Sequence, residues 1–157
     1  MQKMEIVEYQ KKYKQDFIDL NTAWVERFFV MEQEDIEILS HTEEYLEKGG
    51  MIFFAIEDEK VLATCMVYPS GDNVWEICKL AAAGQHTGKG AGSGVFKACM
   101  DYAVAHGAEK ITLISNHILK QALHIYEKFG FQRVELNRGD EYERADVQCE
   151  YIVPQNI

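Results

Sequence analysis

Thr87-Gly88-Lys89-Gly90-Ala91-Gly92-Ser93-Gly94 places four glycines at alternate positions near the middle of the chain. Residues 75–82 before it have the composition of a strand, and apolar residues recur at helical spacing over 95–103. The glycines therefore lie on a predicted strand-to-helix turn. Glycine lets a ligand approach the backbone amides closely, and a helix N-terminus adds free N–H groups and partial positive charge. The segment predicts a phosphate-binding loop. A tight turn without a ligand is the alternative.

Two common phosphate-binding loops do not fit this segment. A Walker loop requires Ser or Thr after its lysine, but Gly90 follows Lys89. The dinucleotide pattern G-x-G-x-x-G fails because its last glycine would fall on Ser93 or on Val95. The segment therefore indicates a phosphate site of another class.

A resemblance to a known family rests on two motifs. Residues 88–92 resemble the acyl-CoA pyrophosphate loop of the GNAT N-acetyltransferases, usually written Gln/Arg-x-x-Gly-x-Gly/Ala. Residues 122–131, ALHIYEKFGF, resemble that family's A-x-x-x-Y-E-K-x-G-F segment, in the family's order and separation. Two positions depart from the pattern: Thr87 replaces the leading Gln or Arg, and Gly84 replaces a common proline. The resemblance implies one N-acetyltransferase domain over residues 1–157.

The order of predicted elements indicates a mixed α/β fold. Predicted strands lie at 5–9, 51–56, 61–68, 74–82, 110–115, 131–136 and 147–153, with a turn at 69–73. Predicted helices lie near 17–28, 32–39, 42–48, 95–103 and 119–129. The helical crossover from 74–82 to 110–115 makes those two strands parallel. The resemblance implies the GNAT fold, a mostly antiparallel sheet flanked by helices, with a V-shaped splay between two central parallel strands.

Composition excludes several classes of function. A chain of 157 residues with 47% hydrophobic content can bury a core. Because no apolar run approaches about 18 residues and the N-terminus lacks a signal-like apolar region, a cytoplasmic location is expected. A net charge of −10 argues against broad nucleic-acid or membrane binding. The cysteine and histidine spacings predict no metal site, and the four cysteines are expected to be free thiols.

Acetyl transfer from a thioester to an amine needs a neutral amine, a polarised carbonyl and a stabilised thiolate. Glu76 is the candidate general base, since strand alternation places it on one face with Cys78, Leu80 and Ala82. A solvent-facing or salt-bridged glutamate is the alternative. The resemblance implies that Tyr126 is the general acid beside the CoA sulfur. A packed core tyrosine is the alternative there.

The resemblance also implies which residues hold acetyl-CoA. Leu80 and Ala82 are expected to contact pantetheine through their backbone, and the Ala82 N–H to polarise the thioester carbonyl. Asn116, at the end of a strand, is either a CoA contact or an ordinary turn residue. The full predicted set is Leu80, Ala81, Ala82, Thr87, Gly88, Lys89, Gly90, Ala91, Gly92, Ser93, Asn116, Leu119 and Tyr126.

The expected function is transfer of the acetyl group of acetyl-CoA to a primary amine, by direct attack in a ternary complex. The expected partners are a CoA thioester and a small-molecule or peptide amine, with a homodimer left open. The net negative charge of the chain favours a cationic amine as the acetyl acceptor. A non-catalytic acyl-CoA-binding or regulatory module is the alternative, which the presence of Glu76 and Tyr126 argues against. A pure interaction protein would leave the glycine segment unexplained.

Overall fold

Seven strands form one mixed sheet in the computed structural model, which describes residues 4–83, 90–138 and 141–155. The strands are β1 (Glu5–Glu8), β2 (Met51–Glu57), β3 (Lys60–Gly71), β4 (Val74–Ala82), β5 (Lys110–Ser115), β6 (Gln132–Val134) and β7 (Val147–Ile152). Their order is β1-β2-β3-β4-β5-β7-β6. The β4–β5 pair is parallel and the other five pairs are antiparallel. The predicted mixed α/β fold is confirmed.

The described residues form five α-helices, which lie against the two faces of the sheet. They are α1 (Lys14–Phe28), α2 (Gln33–Ser40), α3 (Thr42–Glu47), α4 (Ala91–Ala105) and α5 (Lys120–Lys128). Helices α1 and α2 bury Phe17 and Ile38 in a cluster with Phe54 of the sheet. Helix α4 packs Val95 and Phe96 against the opposite face. Within the described ranges, no helix combines the length and the apolar character needed to cross a bilayer.

Two strands, β3 and β6, differ from their predicted bounds by more than one residue. The predicted turn at 69–73 is shorter, because β3 continues through Pro69 to Gly71. The turn falls on Asp72 and Asn73, whose φ values of 55° and 61° suit these short polar residues. Strand β6 covers three residues of the predicted 131–136, and Phe131 instead packs in the core at 5% exposure.

The parallel strands β4 and β5 separate after Glu76. Their ladder joins Val74 to Lys110, Trp75 to Ile111 and Glu76 to Thr112. Strand β4 then continues to Ala82 without β5 beside it, while β5 stays paired with β7 along its length. This divergence is the V-shaped splay that the resemblance implied. It leaves the backbone of β4 beyond Glu76 without a partner strand on that side.

A β-bulge at Lys79 reverses the alternation of side chains along β4. Lys79 has a φ of 57°, and the register runs from Met66 opposite Cys78 to Thr64 opposite Ala81. Three positions on β4 therefore match two on β3, so one extra residue turns the following side chains to the other face. Cys78 packs in the cluster beneath α1 and α2, whereas Leu80 and Ala82 pack against the cluster beneath α4. The prediction that Glu76 shares a face with Leu80 and Ala82 is wrong; it shares its face with Cys78.

Candidate active site

A cavity and a groove meet at the splay between β4 and β5. The cavity, of about 100 Å³, is lined by predicted site residues from β4, α5 and the end of β5: Glu76, Leu80, Asn116, Leu119 and Tyr126. The groove, of about 500 Å³, runs between the start of α4 and the side of α5, and Ala82, Gly90, Gly92 and Ser93 line it. Leu80 and Trp24 line both spaces. The fold therefore brings most of the predicted site residues to one connected surface.

Two of the predicted cofactor residues do not line these spaces, and three others lie outside the described residues. Ala81 and Ala91 are each 1% exposed and contribute to neither surface. Thr87, Gly88 and Lys89 lie outside the described residues. The assignment of all five to cofactor binding stays a prediction.

Gly90 is the N-cap residue of helix α4 and has the left-handed φ of 82°. A Cβ added at Gly90 would meet no atom of the described residues within 4 Å, and the left-handed φ by itself favours glycine here. No described side chain caps this helix end. The N–H groups of its first turn and the partial positive charge of the helix therefore face the groove, where an anion would be stabilised.

Glu76 is buried at the last residue pair before the splay, with 6% exposure. Both of its carboxylate oxygens accept hydrogen bonds from Nη2 of Arg138, at 2.6 and 2.7 Å. Burial raises the pKa of the Glu76 carboxyl above its ordinary value, while Arg138 opposes the rise. The structure therefore shows the salt-bridged glutamate that the sequence left as an alternative. The same residue nonetheless lines the cavity.

Tyr126 both packs in the core and lines the cavity. It is 8% exposed, and its ring lies 5.2 Å from that of Phe96 and 6.5 Å from that of Phe131, centroid to centroid. Burial raises the pKa of the Tyr126 phenol, and an interaction with the Ser115 side chain opposes the rise. The phenol therefore keeps its proton at neutral pH and has that proton to donate.

Asn116 uses its side chain to organise the end of β5. Its Nδ2 donates to the carbonyl of Arg144 at 2.6 Å, and its Oδ1 accepts from the N–H of Ile118 at 2.9 Å. This is the behaviour of a turn residue that also ties down a distant loop. Leu119 directly precedes α5 and packs against the core. A contact of Asn116 or Leu119 with CoA stays a prediction.

A buried ion network beside the cavity was not foreseen from the sequence. Asp35 of α2 is fully buried and accepts hydrogen bonds from Nζ of Lys79 at 2.7 Å. Arg144 donates to both Asp35 oxygens, at 2.6 and 2.7 Å, and the Glu32 N–H donates to one of them at 2.9 Å. Burial by itself raises the pKa of Asp35, but Arg144 and Lys79 outweigh burial and hold the pKa at about 2.

This network fixes one wall of the cavity. Nζ of Lys79 also lies 3.2 Å from the Tyr142 hydroxyl, and the Arg144 guanidinium lies over the Tyr142 ring at 4.4 Å. The loop between β6 and β7 is thereby joined to α2 and to the bulge of β4. The local sequence signal was the acid pair Glu32 and Asp35, three residues apart at the start of α2, where both halves of a capping box form. Asp35 and Arg144 are 109 positions apart, and no local sequence pattern indicated that they would pair.

No group of three or more His, Cys, Asp or Glu side chains is arranged to hold a metal ion within the described part of the chain. The cysteines Cys65, Cys78, Cys99 and Cys149 are free thiols.

Comparisons with known proteins agree with this geometry. A sequence model described as the acetyltransferase (GNAT) family matches residues 8–131. A GNAT-family acetyltransferase from Staphylococcus aureus Mu50 superposes with a TM-score of 0.85 at 18% identity, over 96% of this chain and 99% of that one. A Brucella melitensis GNAT acetyltransferase in complex with acetyl-CoA gives 0.73 at 14% identity, over 99% and 91%.

A third solved structure, the PaiA N-acetyltransferase of Thermoplasma acidophilum in complex with coenzyme A, gives a TM-score of 0.73 at 13% identity, over 96% of this chain and 99% of that one. At such identities the solved structures establish a common fold. No curated protein sequence matches the chain.

Proposed function

This chain belongs to the acetyltransferase (GNAT) family of acyltransferases that use acetyl-CoA, and we propose that it transfers the acetyl group to a primary amine by direct attack in a ternary complex. The observation that carries the proposal is the junction at Leu80. There a groove that begins at a helix N-terminus meets a cavity lined by a buried carboxylate, Glu76, and a protonated phenol, Tyr126.

The residues of the groove fit acetyl-CoA. The amides at the start of α4, from the N-cap Gly90 to Ser93, suit the pyrophosphate. The sequence motif adds residues 87–89, which lie outside the described residues, to the proposed contacts. The unpaired edge of β4 from Leu80 to Ala82 suits the amide groups of pantetheine, because the splay leaves its backbone groups without a partner strand. This path directs the thioester toward Tyr126.

Three groups of the chain then carry out separate steps of the reaction. Glu76 takes a proton from the incoming ammonium, directly or through water, and burial strengthens it as a base by raising its pKa. The N–H of Ala82 polarises the thioester carbonyl as the neutral amine adds to it. Tyr126 donates its proton to the sulfur when the carbon–sulfur bond breaks, and the remaining excess proton on the acetylated nitrogen passes to the resulting phenolate. The products are the N-acetyl amine and free CoA thiol.

One observation favours the alternative of a module that binds acyl-CoA without transferring it. Arg138 occupies both oxygens of Glu76, so the proposed base is engaged in an ion pair. A catalytic role requires that this contact be broken or bypassed when an amine binds.

Thiol release from acetyl-CoA, measured across a panel of amines, tests the function. The panel contains amino acids, polyamines, aminoglycosides, small amines and peptide N-termini, and mass spectrometry identifies the N-acetyl product. We expect release above the hydrolysis background with at least one class. Tight CoA binding without release for any class would favour the binding module.

The cytoplasmic location, a homodimer and the single-domain boundary at 1–157 stay predictions. Measuring the size of the protein in solution, with and without acetyl-CoA, tests the homodimer. Limited proteolysis tests the single-domain boundary.

A further inference from the structure

The groove between α4 and α5 differs in charge from the rest of the chain. The chain carries a net charge of −10, and the adjoining cavity is lined by Glu76 and two further glutamates. Among the described residues, no aspartate or glutamate lines the groove, whereas Lys120, His124 and Lys128 all line it. An acidic protein therefore presents a positive surface where an anionic co-substrate is proposed to bind.

The two lysines and the histidine form one stripe along α5. Residues four positions apart lie on the same face of a helix, so Lys120, His124 and Lys128 follow one another on its surface. A rise of about 1.5 Å per residue makes the stripe about 12 Å long. The stripe is therefore long enough to meet a phosphate group that the start of α4 does not reach.

The charges of the two lysines are not neutralised by the protein. Lys120 and Lys128 are exposed, and neither has a carboxylate partner within the part of the chain that the structure describes. By contrast, Lys79 and Lys97 each pair with an aspartate. The positive charge that lines the groove therefore remains available to a ligand.

The N-terminal end of α5 lies at the cavity. Lys120 directly follows Leu119, which lines the cavity together with Ser115 and Asn116 at the end of β5. The phenol of Tyr126 reaches the same place, since side chains on a helix lean toward its N-terminus and the Tyr126 hydroxyl interacts with the Ser115 side chain. The thioester of a bound acetyl-CoA would therefore lie near the Lys120 end of the stripe.

The middle of α5 lies beside the start of α4, and its last turn lies further along. A Cβ added at Gly92 would meet Cδ1 of Ile125 at 3.4 Å. Lys128 comes about 4.5 Å further along the helix axis, and its Nζ lies 5.2 Å from the centre of the Phe129 ring. That ring stacks on Phe96, in the second turn of α4. The ammonium of Lys128 therefore lies past the free amides of α4, on the side away from the cavity.

Acetyl-CoA carries its groups in the same order. Its thioester is followed by pantetheine, then by the pyrophosphate, and last by adenosine, whose ribose bears a phosphate at the 3′ position. With the thioester in the cavity and the pyrophosphate on the amides of α4, the ribose lies beyond those amides, on the side of Lys128. The 3′-phosphate is the anion that still lacks a partner, and Lys128 is the cation that lacks one.

We propose that Lys128 binds the 3′-phosphate of CoA, and that this contact lets the protein distinguish CoA from dephospho-CoA, which lacks that phosphate. The inference rests on the proposed binding of acetyl-CoA in the groove and deepens it, because it names a residue that recognises the co-substrate. Lys120 lies at the thioester end instead, so its charge attracts CoA and dephospho-CoA without contacting the 3′-phosphate.

Calorimetric titration of CoA and of dephospho-CoA tests the proposal without any acceptor. At low salt we expect wild type to bind CoA about tenfold more tightly, the effect of one hydrogen bond between charged groups. Lys128→Met should reduce that ratio to below about threefold. Lys120→Met is the matched control from the same stripe: it should weaken both compounds alike and leave the ratio at about tenfold. Lys128→Arg keeps the charge and should preserve the ratio.

Three results overturn the inference. They are equal affinities of wild type for the two compounds, a ratio that is unchanged in Lys128→Met, and a ratio that is lost in Lys120→Met. Because Lys128 is exposed, Lys128→Met should fold, and thermal melting of each variant checks this. If it does not fold, the ratio measured in Lys128→Glu, which repels the phosphate, decides in its place.

The titration also separates this inference from the function on which it rests. A ratio that collapses in Lys128→Met, without acetylation of any amine by the wild type, upholds the subsite and removes the transferase function. An unchanged ratio together with acetylation of an amine removes the subsite and leaves the transferase function standing. If neither compound binds to the wild type, the subsite and the proposed use of the groove both fall.

Discussion

Replacing Asp35 by Asn tests how strongly the buried ion network holds the site together. The substitution keeps the shape of the side chain but removes its charge, leaving the ammonium of Lys79 and the guanidinium of Arg144 without their shared counter-ion. Breaking a buried pair in this way costs about 3–5 kcal/mol. Arg144 keeps Glu32 at 3.3 Å and Lys79 keeps the Tyr142 hydroxyl. We therefore expect a loss near the lower limit, about 3 kcal/mol.

The pH dependence of this loss follows from the pKa of Asp35. Its pKa falls from 3.8 to about 2 on folding, which corresponds to roughly 2.5 kcal/mol at about 1.4 kcal/mol per pKa unit. The folded chain binds fewer protons than the unfolded chain at low pH. The stabilisation is therefore complete well above pH 3.8 and is lost as the pH falls through the folded pKa. About half of it remains at pH 3.

Urea unfolding of wild type and Asp35→Asn at pH 7 and pH 3 measures both effects. The deficit of the variant should shrink by about 1 kcal/mol between the two pH values. Asp101→Asn is the matched control, because Asp101 pairs with Lys97 on an exposed helix face and its loss should cost under about 1 kcal/mol. A deficit in Asp35→Asn below about 1 kcal/mol at pH 7, or one that is equal at both pH values, would refute the reasoning.

Three further substitutions test the proposed site. Tyr126→Phe should lower the free energy of unfolding by no more than about 1 kcal/mol, yet its turnover should fall at least about tenfold. A large loss of stability with normal turnover of the folded fraction would show that Tyr126 is a core residue only. Glu76→Gln should lower turnover by roughly 10² to 10⁴-fold and flatten the acidic limb of the pH–rate profile, with CoA affinity intact; wild-type rates across pH would exclude it as the base. Gly90→Val, at a φ of 82°, should weaken CoA binding strongly by straining the start of α4; unchanged calorimetric affinity of the folded variant would remove Gly90 from the site.

The sequence by itself determined the features that depend on neighbouring residues. Apolar periodicity located the helices, and the crossover length made β5 parallel to β4, because only a long connection returns the chain in the same direction. The alternating glycines marked the start of α4, and Gly90 does adopt the left-handed conformation there. The family motifs added the splay, which no local pattern shows.

Only the tertiary structure decided how the side chains of the site are paired. The bulge at Lys79 turns Leu80 and Ala82 away from the face of Glu76, since one extra residue reverses a two-residue period. Glu76 meets Arg138 across 62 positions, and Asp35 meets Lys79 across 44. The formation of an ion pair depends on the distance between the two charges and on their burial. Neither quantity produces a periodic pattern along the sequence, so the sequence does not predict these pairs. Arg138 and Arg144, in the loop between β6 and β7, therefore meet Glu76 and Asp35 only in the folded chain.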